Sequence, residues 1–426
     1  MISSVPGKSS TRRAARIHYA WVVVAVTFAA MLIGAGIRYT SGVLIGPLET
    51  EFGWDRASIS LAVSIGLLLF GMTGPMAGAL LDRFGPRRVM TIGMVLTVLG
   101  VGLLVFMREL WQLYILWGLV TGLGTGALGG SLGAVIATRW FKARRGMVIG
   151  LLSSATSMGQ LVFIPLLMGI TVAAGWRSAV VLLAVAGAAV ALPIALLMRN
   201  SPSDKGLLPV GDSGAVGTAF QKLDETRSTT VREAIRGREF WLLAFNLFIC
   251  GYTTTGLVTT HFISFSLEHG FDETMTAGAM GVMGAMNIAG TLTAGWLTDR
   301  YDNRKLLASC YALRGLSLVA LTFILEAPQL LFFAVIYGLD WIATAPPSVN
   351  LTATIYGKSS LGTVYGWIFF SHMLGASVAA YAGGYLHGLL GSYNLVFISA
   401  AMMLFMAVPA SLFIRIPTRK KEMALA

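Results

Sequence analysis

Charge is what this chain has least of. Of its 426 residues, 12% are charged, about half the share of an ordinary soluble domain. That excludes a fully water-facing surface. Cysteine is nearly absent. Cys250 and Cys310 both lie in apolar runs, which excludes a disulfide scaffold and leaves them as buried small residues. There is no Walker loop, no HExxH and no Cys/His metal spacing. A nucleotide-driven pump and a metal site are thereby excluded, and no cofactor is expected. Acids are scarce beside bases, 19 against 31, for a net charge of +12. Such a balance suggests nucleic acid only until its placement is read. The bases gather in alternate loops, which is topology information, so no nucleic-acid partner is expected. Residues 1–18 are polar and basic and lack the apolar core and small-residue cleavage site of a leader. The first apolar segment is expected to stay as an anchor.

What is abundant is hydrocarbon. The chain is 56% hydrophobic with mean hydropathy +0.75, and the apolar residues come in runs of about 20, the length of helix that crosses a bilayer core. The expected fold is an all-α polytopic membrane protein with twelve spans. They run over 19–45, 57–81, 89–106, 110–137, 146–173 and 177–198 in one half. In the other they run over 240–267, 275–298, 306–325, 329–352, 361–386 and 393–414. The fifty glycines fit close helix packing in lipid. With both termini inside, the even-numbered loops and tails hold 26 of the 31 bases, as the positive-inside rule requires. The expected domains are a cytoplasmic tail 1–18, a six-helix half 19–198 and a cytoplasmic linker 199–239. A second half 240–414 and a tail 415–426 follow. The linker is rich in Gly, Ser, Pro and charge. A short amphipathic helix about Val231–Ile235 and a plain flexible tether are its two readings.

The halves repeat one another. GALLDRFGPRR (Gly78–Arg88) returns as GWLTDRYDNRK (Gly295–Lys305), with Gly78, Leu80, Asp82, Arg83 and Arg87 matched 217 residues later by Gly295, Leu297, Asp299, Arg300 and Arg304. Arg88 is answered by Lys305. EFGWDRASIS at Glu51 aligns with EHGFDETMTA at Glu268 at the same offset, and Lys142, Gly146, Val148 and Gly150 match Lys358, Gly362, Val364 and Gly366 at an offset of 216. Parallel six-span repeats place a substrate site between the halves near the bilayer midplane.

On these residues the chain resembles the major facilitator superfamily over essentially its whole length. The family's loop signature, G-x-x-x-D-R-x-G-x-R-R, is met at every fixed position by Gly78–Arg88. The second copy departs once, with Asp302 in place of the glycine. RWFKARRGMVIGLLSSATSMGQLVFIPL (Arg139–Leu166) and FGWDRASIS are similar to the monocarboxylate and oxalate–formate branch. The drug-antiporter pattern of the fifth helix is missing. The branch's anion anchors are not reproduced: alignment on Gly295 puts Asn287 and Thr291 where it carries an Asp and an Arg, and His372 stands where the oxalate–formate type has a lysine.

Five ionisable side chains lie well inside spans: Arg38, His261, Arg314, Asp340 and His372. A charge in hydrocarbon faces a cavity or a partner, and is a functional hypothesis by default. Arg38 either holds a carboxylate by paired hydrogen bonds or snorkels to the outer interface. Asp340 either carries a proton or pairs with Arg314; the resemblance implies that Arg314 stands on a supporting helix, behind the cavity. His372 and His261 are either proton-coupling groups or neutral histidines bonded to a neighbouring helix. Asn287, Tyr365, Tyr337 and Trp341 are expected as uncharged lining. The resemblance further implies a gate at Asp82, Arg83, Arg87 and Arg88 and at Asp299, Arg300, Arg304 and Lys305; lipid attraction is the plainer reading of these arginines. Pro346–Pro347 is expected to break the tenth span toward its cytoplasmic end.

The expected function is secondary transport of a small organic anion, mono- or dicarboxylate, by alternating access. Protons are one coupling partner and exchange for another anion is the alternative. A monomer in the inner or plasma membrane is expected. The rivals are an exporter of drugs or amphipathic compounds, and a non-transporting sensor. An enzyme lacks its cluster of nucleophile and base.

Overall fold

The computed structural model describes residues 18–142, 144–211, 229–357 and 360–416. The expected tail up to residue 17, the linker stretch 212–228, Lys358 of the repeat and the tail from residue 417 lie outside them, as does the side chain of Asp82. Among the described residues there is no β-strand, only one isolated bridge between Phe141 and Val210.

The first half opens with α1 (Tyr19–Tyr39) and α2 (Ser41–Phe52), which meet at Thr40. Helix α3 (Arg56–Leu103) is two spans joined at Gly85, where φ is +76°. Short pieces follow: α4 (Leu110–Leu113), a π-helical stretch Tyr114–Thr121, α5 (Gly122–Ala127) and α6 (Gly130–Trp140). The half closes with α7 (Arg145–Ala174) and α8 (Trp176–Leu197). The second half begins with α9 (Val231–Arg236), where the short linker helix was expected, and α10 (Arg238–Gly251). A second π stretch, Tyr252–Val258, leads into α11 (Thr259–Glu268). Then come α12 (Glu273–Thr298), α13 (Asn303–Leu321), α14 (Ala327–Asp340), α15 (Ala345–Tyr356), α16 (Leu361–Leu390) and α17 (Asn394–Leu412).

Nine stretches of the described residues are long and apolar enough to cross a membrane. The three other expected spans are α12, α13 and α16, of 26, 19 and 30 residues. Nineteen residues of helix reach roughly 28 Å, so length suffices. They are the more polar ones, carrying Asn287, Arg314 and His372.

The tenth span breaks just ahead of the prolines, whose rings bar regular helix at the carbonyls of Ile342 and Ala343, four residues back. The turn is Trp341–Thr344, and Pro346 and Pro347 sit in the first turn of α15, where a missing amide hydrogen costs nothing.

Two large buried hydrophobic clusters form most of the core, and a small one of Val63, Leu67, Ala376 and Ala380 joins the halves. One draws on Ala20–Met198. The other draws on Ala234–Ile414 and takes in Ala35, Tyr39, Val43, Ile164 and Met168 from the first half. The halves meet where the first part of α3 packs on α16 and α7 packs on α12. Gly284 permits the second contact, since a Cβ there would run into the backbone of Leu161. Among the described residues, hydrogen bonds between halves occur at Arg56, at Ser64–Ser377 (2.8 Å) and at Ser157–Asn287 (3.0 Å). All lie at mid-height or toward the end that carries the 53–55 loop.

Candidate functional site

Arg38 lies in the last turn of α1, next to the Thr40 junction. Its guanidinium stands 4.2 Å over the Phe70 ring of α3. Small voids of about 30 and 20 Å³ adjoin it, with Thr125 on the wall of both. The π stretch supplies Trp117 and Thr121 to the larger void. Within it the Thr121 hydroxyl donates 2.7 Å to the carbonyl of Leu116, five residues back. Such π turns recur at functional sites. Among the described residues no carboxylate pairs with Arg38, and its buried Nε has no hydrogen-bond partner. It is a cation in hydrocarbon with donors to spare.

Arg314 is the opposite case. It is fully buried on α13, its Nε donates 2.7 Å to Asp340 Oδ2, and Nη1 donates to the Cys250 thiol at 3.2 Å. Nη2 donates to the carbonyls of Asp340 and Trp341. Those two carbonyls lie where α14 stops and the Trp341 turn begins. The guanidinium fork thus covers backbone groups that the helix break exposes. Of the two readings for Asp340, the geometry is that of a pair. Cys250 is more than filler: it also stands 3.2 Å from the Thr344 hydroxyl.

His372 is half-buried on α16, stacked on Phe369 with centroids 5.4 Å apart, and its Nε2 is 3.4 Å from the Thr255 hydroxyl of the second π stretch. Tyr365, Phe369 and His372 share one face of α16 at helical spacing, and Tyr365 is likewise half-buried. Asn287 is buried at the interface of the halves, donating to Ser157 and accepting from Thr291 at 3.3 Å. Tyr337 and Trp341, expected as lining, are instead inside the second core. Tyr337 gives its hydroxyl to the carbonyl of Thr253 (2.9 Å) and meets Trp341 edge-on. His261 is fully buried and fully used. Its Nε2 donates to the carbonyl of Ala380 (2.8 Å), so Nδ1 accepts from the Tyr393 hydroxyl (2.9 Å).

Tyr393 leads to a cluster that the sequence reading missed. Arg56 donates to both oxygens of Glu49 (2.6 and 2.8 Å) within its own half. Across the interface it bonds Glu268 and the Tyr393 hydroxyl and nears His387. His387 in turn is 3.1 Å from Glu268. The signal was present: both Arg56 and Glu268 fall in the repeated loop around EFGWDR and EHGFDE.

The repeated hinge bonds within its own half wherever it is described. Arg87 donates 2.7 Å to the carbonyl of Ala195, and its amide is capped by Asn200 (3.1 Å). Its counterpart Arg304 donates to the carbonyl of Ile414, and its amide is capped by Asp302 (2.9 Å). Arg304 also forks onto the Asp302 carboxylate, which it holds below the ordinary carboxylate range. The one departure between the copies is therefore physical. Gly85 adopts a left-handed φ that side chains resist, whereas Asp302 is extended and caps the next helix. Arg83 lies over Phe84 and Arg300 over Trp296. Arg88 and Lys305 are exposed. Asp299 stands at the C-terminal cap of α12.

Two helical bundles pressed together, with polar side chains gathered at mid-height between them, are the architecture of a polytopic transporter. The sequence model described as Major Facilitator Superfamily matches residues 26–371 and 285–425, and the chain belongs to that family of membrane transporters of small molecules. Similar proteins include the uncharacterised MFS-type transporter YcxA of Bacillus subtilis, 25% identical over 88% of this chain and 90% of that one. Monocarboxylate transporter 13 of Bos taurus is 26% identical over 91% and 87%, and monocarboxylate transporter 12 of Mus musculus 24% over 95% and 87%. The fold is shared with a D-xylose–proton symporter, with TM-score 0.73 and 16% identity over 94% of this chain and 98% of that one.

Proposed function

We propose that the chain moves a small organic anion, a mono- or dicarboxylate, by alternating access between two six-helix halves, 19–198 and 240–414. Arg38 is the group that holds the carboxylate. One observation carries this reading: of the two arginines inside the membrane, Arg314 has its carboxylate and Arg38 has none among the described residues. An unpaired cation in hydrocarbon is costly, and a substrate carboxylate would supply the missing charge and hydrogen bonds. The kinship with monocarboxylate transporters supports the same class. His372, with Tyr365 on the same face, is the second polar group we assign to the site, and Asn287 joins the halves at Ser157. Coupling to protons falls to His372, because Asp340 is held by Arg314. The hinge loops and both termini face the cytoplasm, as the basic loops require, in the inner or plasma membrane. The site lies within one chain, so a monomer suffices.

The test is uptake of labelled lactate, pyruvate, oxalate and formate into proteoliposomes, with and without a pH gradient. At least one should be accumulated or exchanged, and Arg38→Gln should weaken it by about tenfold or more, the worth of a lost charge-assisted pair. Counterflow of an amphipathic cation with no carboxylate moving would favour the drug-export alternative.

A further inference from the structure

Helix α7 is occupied around most of its circumference. Gly159 and Phe163 lie against α1, at Ala35 and Gly36. Ser157 and Leu161 face α12, at Asn287 and Gly284. Met158, Val162 and Leu166 are exposed on the outer side. At about 100° per residue, the side that remains carries Thr156 and Gln160, one turn apart. That side looks into the space between the halves. Thr156 is on the wall of the void of about 20 Å³ beside Arg38, and Gln160 is the next residue along the same face.

Gln160 is fully buried, and neither its Nε2 nor its Oε1 has a hydrogen-bond partner among the described residues. It is the one side chain among them with both a buried donor and a buried acceptor unmet. The nearest hydroxyl on its own helix is committed elsewhere, since Ser157 accepts from Asn287 at 3.0 Å. A buried amide without partners costs free energy that an apolar side chain of the same shape would not. Its donor and acceptor are free on the face that holds the Arg38 void.

We propose that Gln160 is a specificity-determining residue of the central site and selects anions that carry a hydroxyl near their carboxylate. This rests on the reading of Arg38 as the carboxylate's anchor. With the carboxylate on Arg38, the rest of a small substrate reaches along the Thr156 face toward the Gln160 amide. An amide oxygen needs a donor, and an amide N–H needs an acceptor. A hydroxyl is both. A keto oxygen or a second carboxylate only accepts, and leaves Oε1 unmet. A plain alkyl chain meets neither atom. Sites built to bond a substrate hydroxyl reject the analogue that lacks it far more strongly than apolar pockets do.

The experiment titrates the purified full chain in detergent with butyrate, 2-hydroxybutyrate, 3-hydroxybutyrate and 2-oxobutyrate, by isothermal calorimetry. In the wild type at least one hydroxybutyrate should bind about tenfold or more tighter than butyrate. The 2-oxo acid should bind more weakly than its 2-hydroxy counterpart. Gln160→Met keeps the length and bulk of the side chain and removes the amide. It should cut the hydroxyl preference to about twofold or less, with the loss falling on the hydroxybutyrates. Its melting temperature should match or exceed that of the wild type, since two unmet buried polar atoms are gone. Arg38→Gln, by contrast, should weaken all four anions alike. If none of the anions binds the wild type, the carboxylate reading of Arg38 falls and this proposal with it. If all four bind the wild type alike, or Gln160→Met weakens all four equally, the carboxylate reading stands and the role of Gln160 is overturned. Melting of Gln160→Met well below the wild type would equally overturn it, by showing that the amide serves the fold.

Discussion

Arg56 bonds Glu49 of its own half and Glu268 of the other, so one guanidinium holds both halves at one end of the molecule. Tyr393 and His387 complete its shell, and the next polar contact inward is Ser64–Ser377. Loss of this hub should release that end. With a cysteine introduced as Ser64→Cys, labelling by an impermeant maleimide should be at least about tenfold faster when Arg56→Gln is added, since a charged hydrogen bond contributes roughly 1.5–3 kcal/mol. Unchanged labelling would show that Arg56 does not hold the halves together.

Arg314 and Asp340 should behave as a structural pair. Arg314→Met alone strands a buried carboxylate and should destabilise the protein by about 3–5 kcal/mol, while Arg314→Met with Asp340→Leu should recover most of the loss. Thermal unfolding in detergent measures both. A stable Asp340→Asn that loses only gradient-driven accumulation would instead make Asp340 the proton carrier.

His372→Gln keeps a polar group facing Thr255 and removes the imidazole. Under the proton-coupled reading it abolishes accumulation driven by a pH gradient and spares exchange in proteoliposomes. Retained accumulation would remove His372 from the coupling step.

Gly85→Ala should lower stability by roughly 1–3 kcal/mol, because φ +76° with ψ 154° is a region adopted essentially by glycine alone, and more where the added carbon strikes the Asn200 amide. Asn200→Ala should not rescue it fully, because the φ penalty stays. Denaturation of the single and double variants distinguishes the two terms.

Glu51 is held below the ordinary carboxylate range, first by the hydrogen bond from the Trp176 indole and next by Arg177. A depressed folded value gives stability that is complete above the unfolded value and is lost as pH falls through the folded one. Melting should therefore be insensitive to Glu51 from pH 7 to about pH 5, and the Glu51 contribution should fade only below about pH 4. Glu51→Gln should remove that acid limb. An effect centred near neutral pH would contradict this assignment.

That the chain is a helical membrane protein of this family, nine of its long apolar helices and the offset of its internal repeat were legible in the sequence. Hydrophobic run length, repeat offsets and the placement of bases are one-dimensional properties, and the bilayer imposes them on the chain directly. Partnership was not legible. That Arg314 finds Asp340 while Arg38 finds none depends on side-chain directions across helices far apart in sequence. Tyr337 and Trp341 are mid-span, as a lining residue would be, yet helix rotation turns them into the core. The carbonyls exposed where α14 ends are covered by Arg314, 26 residues before Asp340 and 27 before Trp341. Arg56 read as a loop charge until the halves closed on it. Local composition determined the machine; contacts between helices, which only the folded chain creates, decided which of its charges are spoken for and which are left to bind.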